Sequence, residues 1–301
     1  MYISLTERRT ITATLPDRTI TDMEIEDEWN GLTKLVHPAS GLYLIVMREE
    51  GLIIDGSKSL IDDLLRPAAP TAEPGYVVFP ESKLPCGLVV PAFQVAQYMN
   101  CVGDDGKAYV SGTEVPCVNI NFATAIQACK NAGGGLITGS QHLALAWDIV
   151  NQPANWTGGE VGKGHVYRGL HKGTLSCAQR NDYEPSDPEE RRWHVLSTGD
   201  RIYDFAGHLW SWMINDLAGN VDGLAGKIPA DSPYLTTASQ YSQAQGMGYR
   251  PDGARDWSSY ALIRSGCWGS GSCAGVFFLG CDWPVNCYDY IGFRCTKPVG
   301  L

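Results

Sequence analysis

The clearest helical signals in the chain are confined to one short segment, and they limit what the rest can become. Asn121 stands in an N-cap position, where a side-chain oxygen can accept a backbone N–H of the first turn. After it, apolar Phe122, Ala123, Ile126 and Cys129 recur at helical spacing up to Asn131, and Gly133-Gly134-Gly135 stops the helix. Thr138 and Gln141 then have the form of a capping box, which opens a second helix running through Ile149. Elsewhere the 301-residue chain reads mainly as short strands and irregular chain. The fold class expected is α+β with much irregular structure.

The two ends of the chain differ in character. Segments 10–15 and 18–25 alternate β-branched and polar residues, which predicts strands divided by a turn at Pro16-Asp17. Segments 42–47 and 52–54 read as buried strands around Arg48-Glu49-Glu50-Gly51, and 59–65 as a short helix. Residues 1–66 therefore form a small β-rich module, a structural cap or a docking element. Residues 67–75 hold three prolines and a glycine, which cannot continue a helix or a central strand, so the linker lies there. The second domain, 76–301, opens with strand-like 76–79 and 87–98. Segments 151–201 and 220–259 are irregular, and 202–212 reads as a turn and an aromatic strand. Long irregular segments in a compact domain are often functional.

Segment 264–295 (RSGCWGSGSCAGVFFLGCDWPVNCYDYIGFRC) is written differently from the rest. Residues suited to a rigid frame, Trp268, Ala274, Gly275, Ile291, Gly292, Phe293 and Arg294, alternate with clusters that look freely chosen: 269–270, 272–273, 280–282 and 286–290. The chain has 9 Lys, 13 Glu, 9 Gln and 6 Met, 37 residues in all, yet the 31 residues 265–295 contain none of them. Composition alone would place roughly four there. An asparagine codon ending in a pyrimidine, with both adenines randomised, encodes fifteen residue types and excludes Lys, Glu, Gln, Met and Trp. The clusters use only permitted types, and Trp268 and Trp283 would be fixed positions. A buried strand region rich in small residues is the alternative explanation. A fixed frame carrying freely chosen surface residues describes a recognition surface.

Composition removes several function classes. Hydrophobic content of 44% and charged content of 19% describe a globular chain. A net charge of −10 opposes a nucleic-acid partner, whose phosphates demand a basic patch, and an anionic membrane surface. Residues 1–10 lack the apolar region of a signal peptide, and no run is long enough to span a membrane. Ten cysteines include no CxxC, and six histidines form no HxxxH or HExxH, so no metal site is expected. Cys101 with Cys117, or Cys86 with one of them, could close a loop. Glu184-Pro185-Ser186-Asp187 weakly suggests a lectin calcium loop, but Ser186 replaces a ligand asparagine. Residues 182–192, acidic then basic, read as a solvated loop, His194 as a structural histidine, and Trp210 and Trp212 as core.

Taken together, these segments resemble a known family. Segment 115–149 (VPCVNINFATAIQACKNAGGGLITGSQHLALAWDI) is similar to the helix pair of the formylglycine-generating-enzyme version of the C-type lectin fold. So are 207–212 (GHLWSW), 264–268 (RSGCW) and 291–295 (IGFRC) to that family's G-N-V-W-E-W, R-G-G-S-W and I-G-F-R-C blocks. Where the family's enzymes carry an R-S-x-x-R-type block and a redox cysteine pair, this chain has Ala274-Gly275-Val276-Phe277-Phe278-Leu279. That pattern resembles a narrower group, the variable proteins of diversity-generating retroelements, which include viral receptor-binding proteins of the tropism-determinant type. In that group adenine-specific mutagenic reverse transcription randomises asparagine codons, which matches the fifteen-residue vocabulary. Cys267, Cys273, Cys281 and Cys287 then become sampled outcomes and not a disulfide framework.

The resemblance implies a division of labour, because a surface that changes wholesale must stay out of the core. Trp268, Val276, Ile291 and Phe293 are expected inside, with Gly275, Gly292 and Arg294 as frame. Gly269, Ser270, Ser272, Cys273, Phe278, Gly280, Asp282, Asn286, Cys287, Tyr288, Asp289 and Tyr290 are expected to line one exposed, ligand-binding face. Tyr288 and Tyr290 should point the same way, and with Phe278 and Trp283 supply anchors. The implied function is ligand or receptor binding, not catalysis, with no cofactor and no metal. The ligand would be a protein or glycan on a target surface, with no nucleic acid and no membrane insertion. The N-terminal module would engage a virion or cell-surface partner, placing the protein on the virion surface, or alternatively on a host cell surface or in the cytoplasm. Two alternatives are a formylglycine-generating-type oxidase using Cys281 and Cys287, and a calcium-dependent lectin.

Overall fold

The structure, a computed structural model, describes residues 72–299 continuously. Ahead of them it describes six strands, Ile3–Leu5, Thr10–Thr14, Thr19–Trp29, Leu32–Val36, Tyr43–Met47 and Ile53–Gly56, together with His37. The chain divides into two compact units, Met1–Pro70 and Thr71–Leu301.

In the first unit the six described strands form one antiparallel sheet in chain order. Leu35 pairs with Leu44, and both are buried, as is Met23. The alternation that makes Thr19–Trp29 a strand breaks where the register shifts between Ile25 and Asp27, and Ile25 is 43% exposed. Strands Ile3–Leu5 and Leu32–Val36 escaped sequence reading; Lys34 in the middle of the latter masks its pattern. The expected turns at Pro16-Asp17 and 48–51, the helix at 59–65 and the first part of the linker lie outside the described residues.

The second unit is α+β. Its first helix, Phe122–Asn131, forms because Asn121 accepts the Thr124 N–H at 2.9 Å, and Phe122, Ala125, Ala128 and Cys129 make a buried stripe. Ala123 and Ile126, read as inward-facing from the sequence, flank that stripe. The second helix, Gly139–Val150, carries the full capping box: Gln141 N–H donates to Thr138 Oγ1 and Thr138 N–H to Gln141 Oε1.

Two four-stranded sheets receive these helices. In one, Phe93–Ala96 pairs antiparallel with both Tyr76–Phe79 and Cys295–Pro298, and the latter also with Gly135–Leu136. In the other, Trp210–Met213 lies between Ala261–Arg264, antiparallel, and Ile291–Phe293, parallel; Gly280–Asp282 adds to the outside of Ala261–Arg264. Only Arg294 separates Ile291–Phe293 from Cys295–Pro298, so the chain changes sheets across one residue. A buried guanidinium must be hydrogen-bonded, and Arg294 donates to the carbonyls of Ala96 (2.5 Å) and Tyr203. Its burial lowers its pKa to about 10.

A disulfide joins Cys129 on the first helix to Cys295 at the start of the closing strand, with Cα atoms 5.6 Å apart. This corrects the cysteine reading: Cys86, Cys101 and Cys117 are free thiols. Trp212 is core, its indole N–H donating to Ile120 O at 2.9 Å and its ring edge-on to Phe122.

The irregular segment 151–201 contains buried charge, so the solvated-loop reading of 182–192 holds for 182–189, which are exposed or half-buried, and fails at Glu190 and Arg192, which are buried. Arg192 forms a two-pronged pair with Asp204 (2.8 and 2.5 Å) and donates to the carbonyls of Arg180 and Tyr183. Glu190, also buried, accepts the backbone N–H groups of His171 and Lys172. His208 Nε2 accepts the Gln179 N–H, so its proton sits on Nδ1, facing Asp204 at 3.1 Å. Asp204 is thereby held far below the usual carboxylate range: its burial opposes ionisation, but Arg192 and then His208 outweigh it.

Candidate recognition surface

Segment 264–295 enters as a core strand, leaves as a core strand, and makes two excursions between them. Arg264 is buried, its Nη1 donating weakly to the carbonyls of Phe277 and Phe278. Ser265 and Gly266 both have positive φ and turn the chain outward. Trp268 then packs back on Met99 and Leu209, its N–H on His208 O at 3.0 Å. The first excursion, 269–273, includes the short 3-10 turn Gly271–Cys273. Ala274 to Leu279 return to the interior, bonded through the backbone to 246–249: Phe277 N–H to Met247 O and Leu279 N–H to Tyr249 O, both 2.9 Å. Gly275 is required there, since a Cβ would collide with the backbone of Gly246 and Gly248. The second excursion follows Gly280–Asp282 and runs from Trp283 to Tyr290, tethered by Phe122 N–H to Pro284 O and Asn119 N–H to Tyr288 O.

Trp268, Gly275, Val276, Ile291, Gly292, Phe293 and Arg294 are buried. Gly269, Ser272, Cys273, Cys287 and Asp289 are exposed, and Ser270, Gly280, Asp282, Asn286, Tyr288 and Tyr290 are half-buried. Phe278 is a correction: at 7% exposure it belongs to the core, stacked on Trp210 at 6.4 Å and next to Tyr249 at 6.3 Å. It is nearly roofed as well, because a Cβ on Gly280 would sit 3.2 Å from its ring.

The two excursions flank one row of rings. Tyr288 and Tyr290 stack at 4.9 Å with planes 12° apart, and Tyr290 meets Trp210 edge-on at 5.2 Å and Trp268 at 6.2 Å. Trp210 continues the row to Phe278 and Tyr249, and the Tyr249 N–H donates to Cys273 O in the first excursion. Sequence reading assigned Trp210 to the core with Trp212; it does pack against that core, but only half-buried, and it also carries the row of rings. Two residues on one strand separated by a single residue share a face, yet Trp212 is fully buried while Trp210 is half-buried beneath the excursions, its indole N–H without an acceptor among the described residues. Trp283, 51% exposed, lies against Tyr260 with ring centres 4.2 Å apart and planes tilted by 34°.

Local bonds stiffen the second excursion. Asp282 Oδ1 accepts the Trp283 N–H and an Asn286 amide hydrogen, both at 2.7 Å, and Asn286 also donates to Tyr288 Oη at 2.8 Å. Burial first, then Tyr288 and the nearby carboxylates, raises the Tyr290 phenol above its ordinary value. Burial pushes the Cys281 thiol up to about 11. Beyond Pro284 and Val285 the surface dips into a groove of about 730 Å³ against Phe122, Ile126 and Leu224.

A fixed α+β scaffold bearing two solvent-facing excursions over an aromatic row defines the site. The sequence matches no family model, and no curated protein is similar to it in sequence. Solved structures that it is similar to include PvdO from Pseudomonas aeruginosa, at 13% identity and TM-score 0.39, over 74% of this chain and 94% of that one. They include the Major Tropism Determinant I1 variant, at 11% identity and TM-score 0.35, over 91% and 82%. Treponema denticola variable protein 1 is similar at 13% identity and TM-score 0.34, over 74% and 93%.

Proposed function

We propose that the second unit is a ligand-binding domain with the formylglycine-generating-type C-type lectin fold, whose face at 269–290 is diversified by a retroelement. On this reading the protein serves receptor recognition on a virus particle, with the first unit as its docking module. The observation that carries it is the separation of roles within one segment. The frame residues are buried and held through backbone bonds, while Gly269, Ser272, Cys273, Cys287 and Asp289 are exposed and fill no core position. Changing those side chains leaves the scaffold's packing intact.

Two features weigh against the alternatives. A catalytic cysteine needs a thiolate, and Cys281, half-buried with its pKa raised, is poorly suited to supply one. In the loop proposed for calcium, Asp187 is already engaged by Lys172 at 2.6 Å and by the Glu189 N–H.

The test is a displayed library in which 269, 270, 272, 273, 280, 282 and 286–290 are randomised and selected against two unrelated probe proteins, lysozyme and streptavidin. Most members should fold, and each selection should yield binders that differ at those positions only. A library that is mainly unfolded, or that yields no binder to either probe, overturns the reading. For the retroelement, the genome should hold a near-repeat of the region encoding 264–295 with mismatches at adenines, beside a reverse transcriptase gene.

A further inference from the structure

The chemistry of the face narrows what this particular chain can bind. Charged residues in 265–295 are Asp282, Asp289 and Arg294. Arg294 is buried on backbone carbonyls, so the charge presented outward is wholly negative. Among the described residues no cation pairs with either aspartate: Asp289 is exposed, and Asp282 accepts the Trp283 N–H and an Asn286 amide hydrogen on Oδ1. Two of the polar side chains on the face are already engaged: Ser270 Oγ donates to Cys267 Sγ at 3.4 Å, and the Asn286 amide hydrogens go to Asp282 and Tyr288. Asp282 is linked to Tyr288 Oη through the Asn286 amide, and exposed Asp289 lies between Tyr288 and Tyr290 in the chain, so two carboxylates accompany the stacked rings, with Trp283 exposed nearby in sequence.

Carboxylates beside aromatic faces suit a planar cation that brings its own donors. A guanidinium pairs with a carboxylate through two parallel N–H bonds and stacks on a ring, whereas an ammonium is a compact, strongly hydrated charge that does neither as well. The same fold already stacks a guanidinium on rings, without a carboxylate: Arg191 lies 3.7 Å from the Tyr167 ring centre and 3.8 Å from that of Trp193, and bonds to Trp193 O and the Asn155 side chain. Resting on the recognition-surface reading, we infer that this variant binds an arginine-bearing segment of a basic protein, with Asp282 and Asp289 holding the guanidinium over Tyr288 and Tyr290.

The probes are fluorescent nona-arginine, nona-lysine and nona-glutamate peptides, measured by anisotropy against the full chain near physiological salt. Because the protein is acidic overall, a charge-matched control is needed: D104N/D231N removes two exposed charges elsewhere. Nona-arginine should bind at least about tenfold tighter than nona-lysine, a difference of about 1.4 kcal/mol, and nona-glutamate should not bind. D282N/D289N should weaken nona-arginine about tenfold or more, while D104N/D231N changes it less than about twofold. Y288S/Y290S should erase the preference for arginine over lysine. Asp282 also holds the loop, so D289N alone, checked for an unchanged melting curve, should weaken binding in the same direction. Equal weakening by the control pair, or equal binding of the two cationic peptides, overturns the inference. Library binders obtained alongside either result would remove the arginine specificity and leave the recognition surface standing.

Discussion

Replacing Cys129 and Cys295 with alanine asks how firmly the scaffold is held apart from its face. The bridge joins positions 166 residues apart. In the loop-entropy treatment a closure of that length removes about 17 cal/mol/K from the unfolded chain, or about 5 kcal/mol at 25 °C. Domains are stable by only about 5–15 kcal/mol in total, so the bridge decides whether the unit survives heating. At about 2–4 °C per kcal/mol for a unit of this size, the melting temperature should drop by about 10–20 °C. The assay is a set of urea and thermal unfolding curves for wild type and C129A/C295A, each with and without reductant. Reductant should move wild type towards the variant and leave the variant unmoved. A wild type indifferent to reductant, or a variant that melts with it, would refute the reasoning, because the stabilisation would then not come from this bridge.

Three further outcomes are expected. His194 is buried, with its pKa pushed down to about 4 by desolvation. The unfolded chain takes up that proton near pH 6.5, so it holds more protons across the interval and stability falls by about 3 kcal/mol as pH drops from 6.5 to 4. H194Q, which keeps a donor for Tyr167 O, should flatten that limb in urea midpoints measured against pH; an unchanged slope contradicts the assignment. Phe278→Ala should cost about 3–5 kcal/mol and Ser272→Tyr no more than about 0.5 kcal/mol, both read from unfolding curves, and the reverse order would undo the division between core and face. Gly275→Ala should prevent folding or cost several times more than Gly269→Ala, since nothing lies within 4 Å of a Cβ at Gly269.

What could be read from the sequence was mostly local. The helix pair announced itself because caps, periodicity and glycine stops all act within a few residues, and Asn121, Thr138 and Gln141 do what their positions required. Features that depend on distant partners stayed hidden. Cys129 and Cys295 carry no spacing signal, though Cys129 lies within, and Cys295 ends, a segment that resembles the family. Arg192 looked like a surface charge because its partner, Asp204, is supplied by another strand connection. Phe278 was misplaced for a different reason. In 274–279 all six residues are apolar or glycine, so alternation says nothing, and only pairing with 246–249 shows that every one of them is inside. The frame residues were easier, because tryptophan, glycine and arginine in such close order serve few purposes other than tight packing and carbonyl-rich turns.

The placement of the last strand has a consequence for how such a chain could tolerate errors in its own gene. Cys295–Pro298 sits between Gly135–Leu136 and Phe93–Ala96, and its first residue supplies half of the disulfide. Both excursions lie upstream of it. A message truncated or shifted in frame anywhere in the excursions therefore yields a product lacking the strand that closes the sheet, and such a product cannot mature. Substitutions in the excursions leave that strand in place and interruptions remove it, so the arrival of the final strand distinguishes the two.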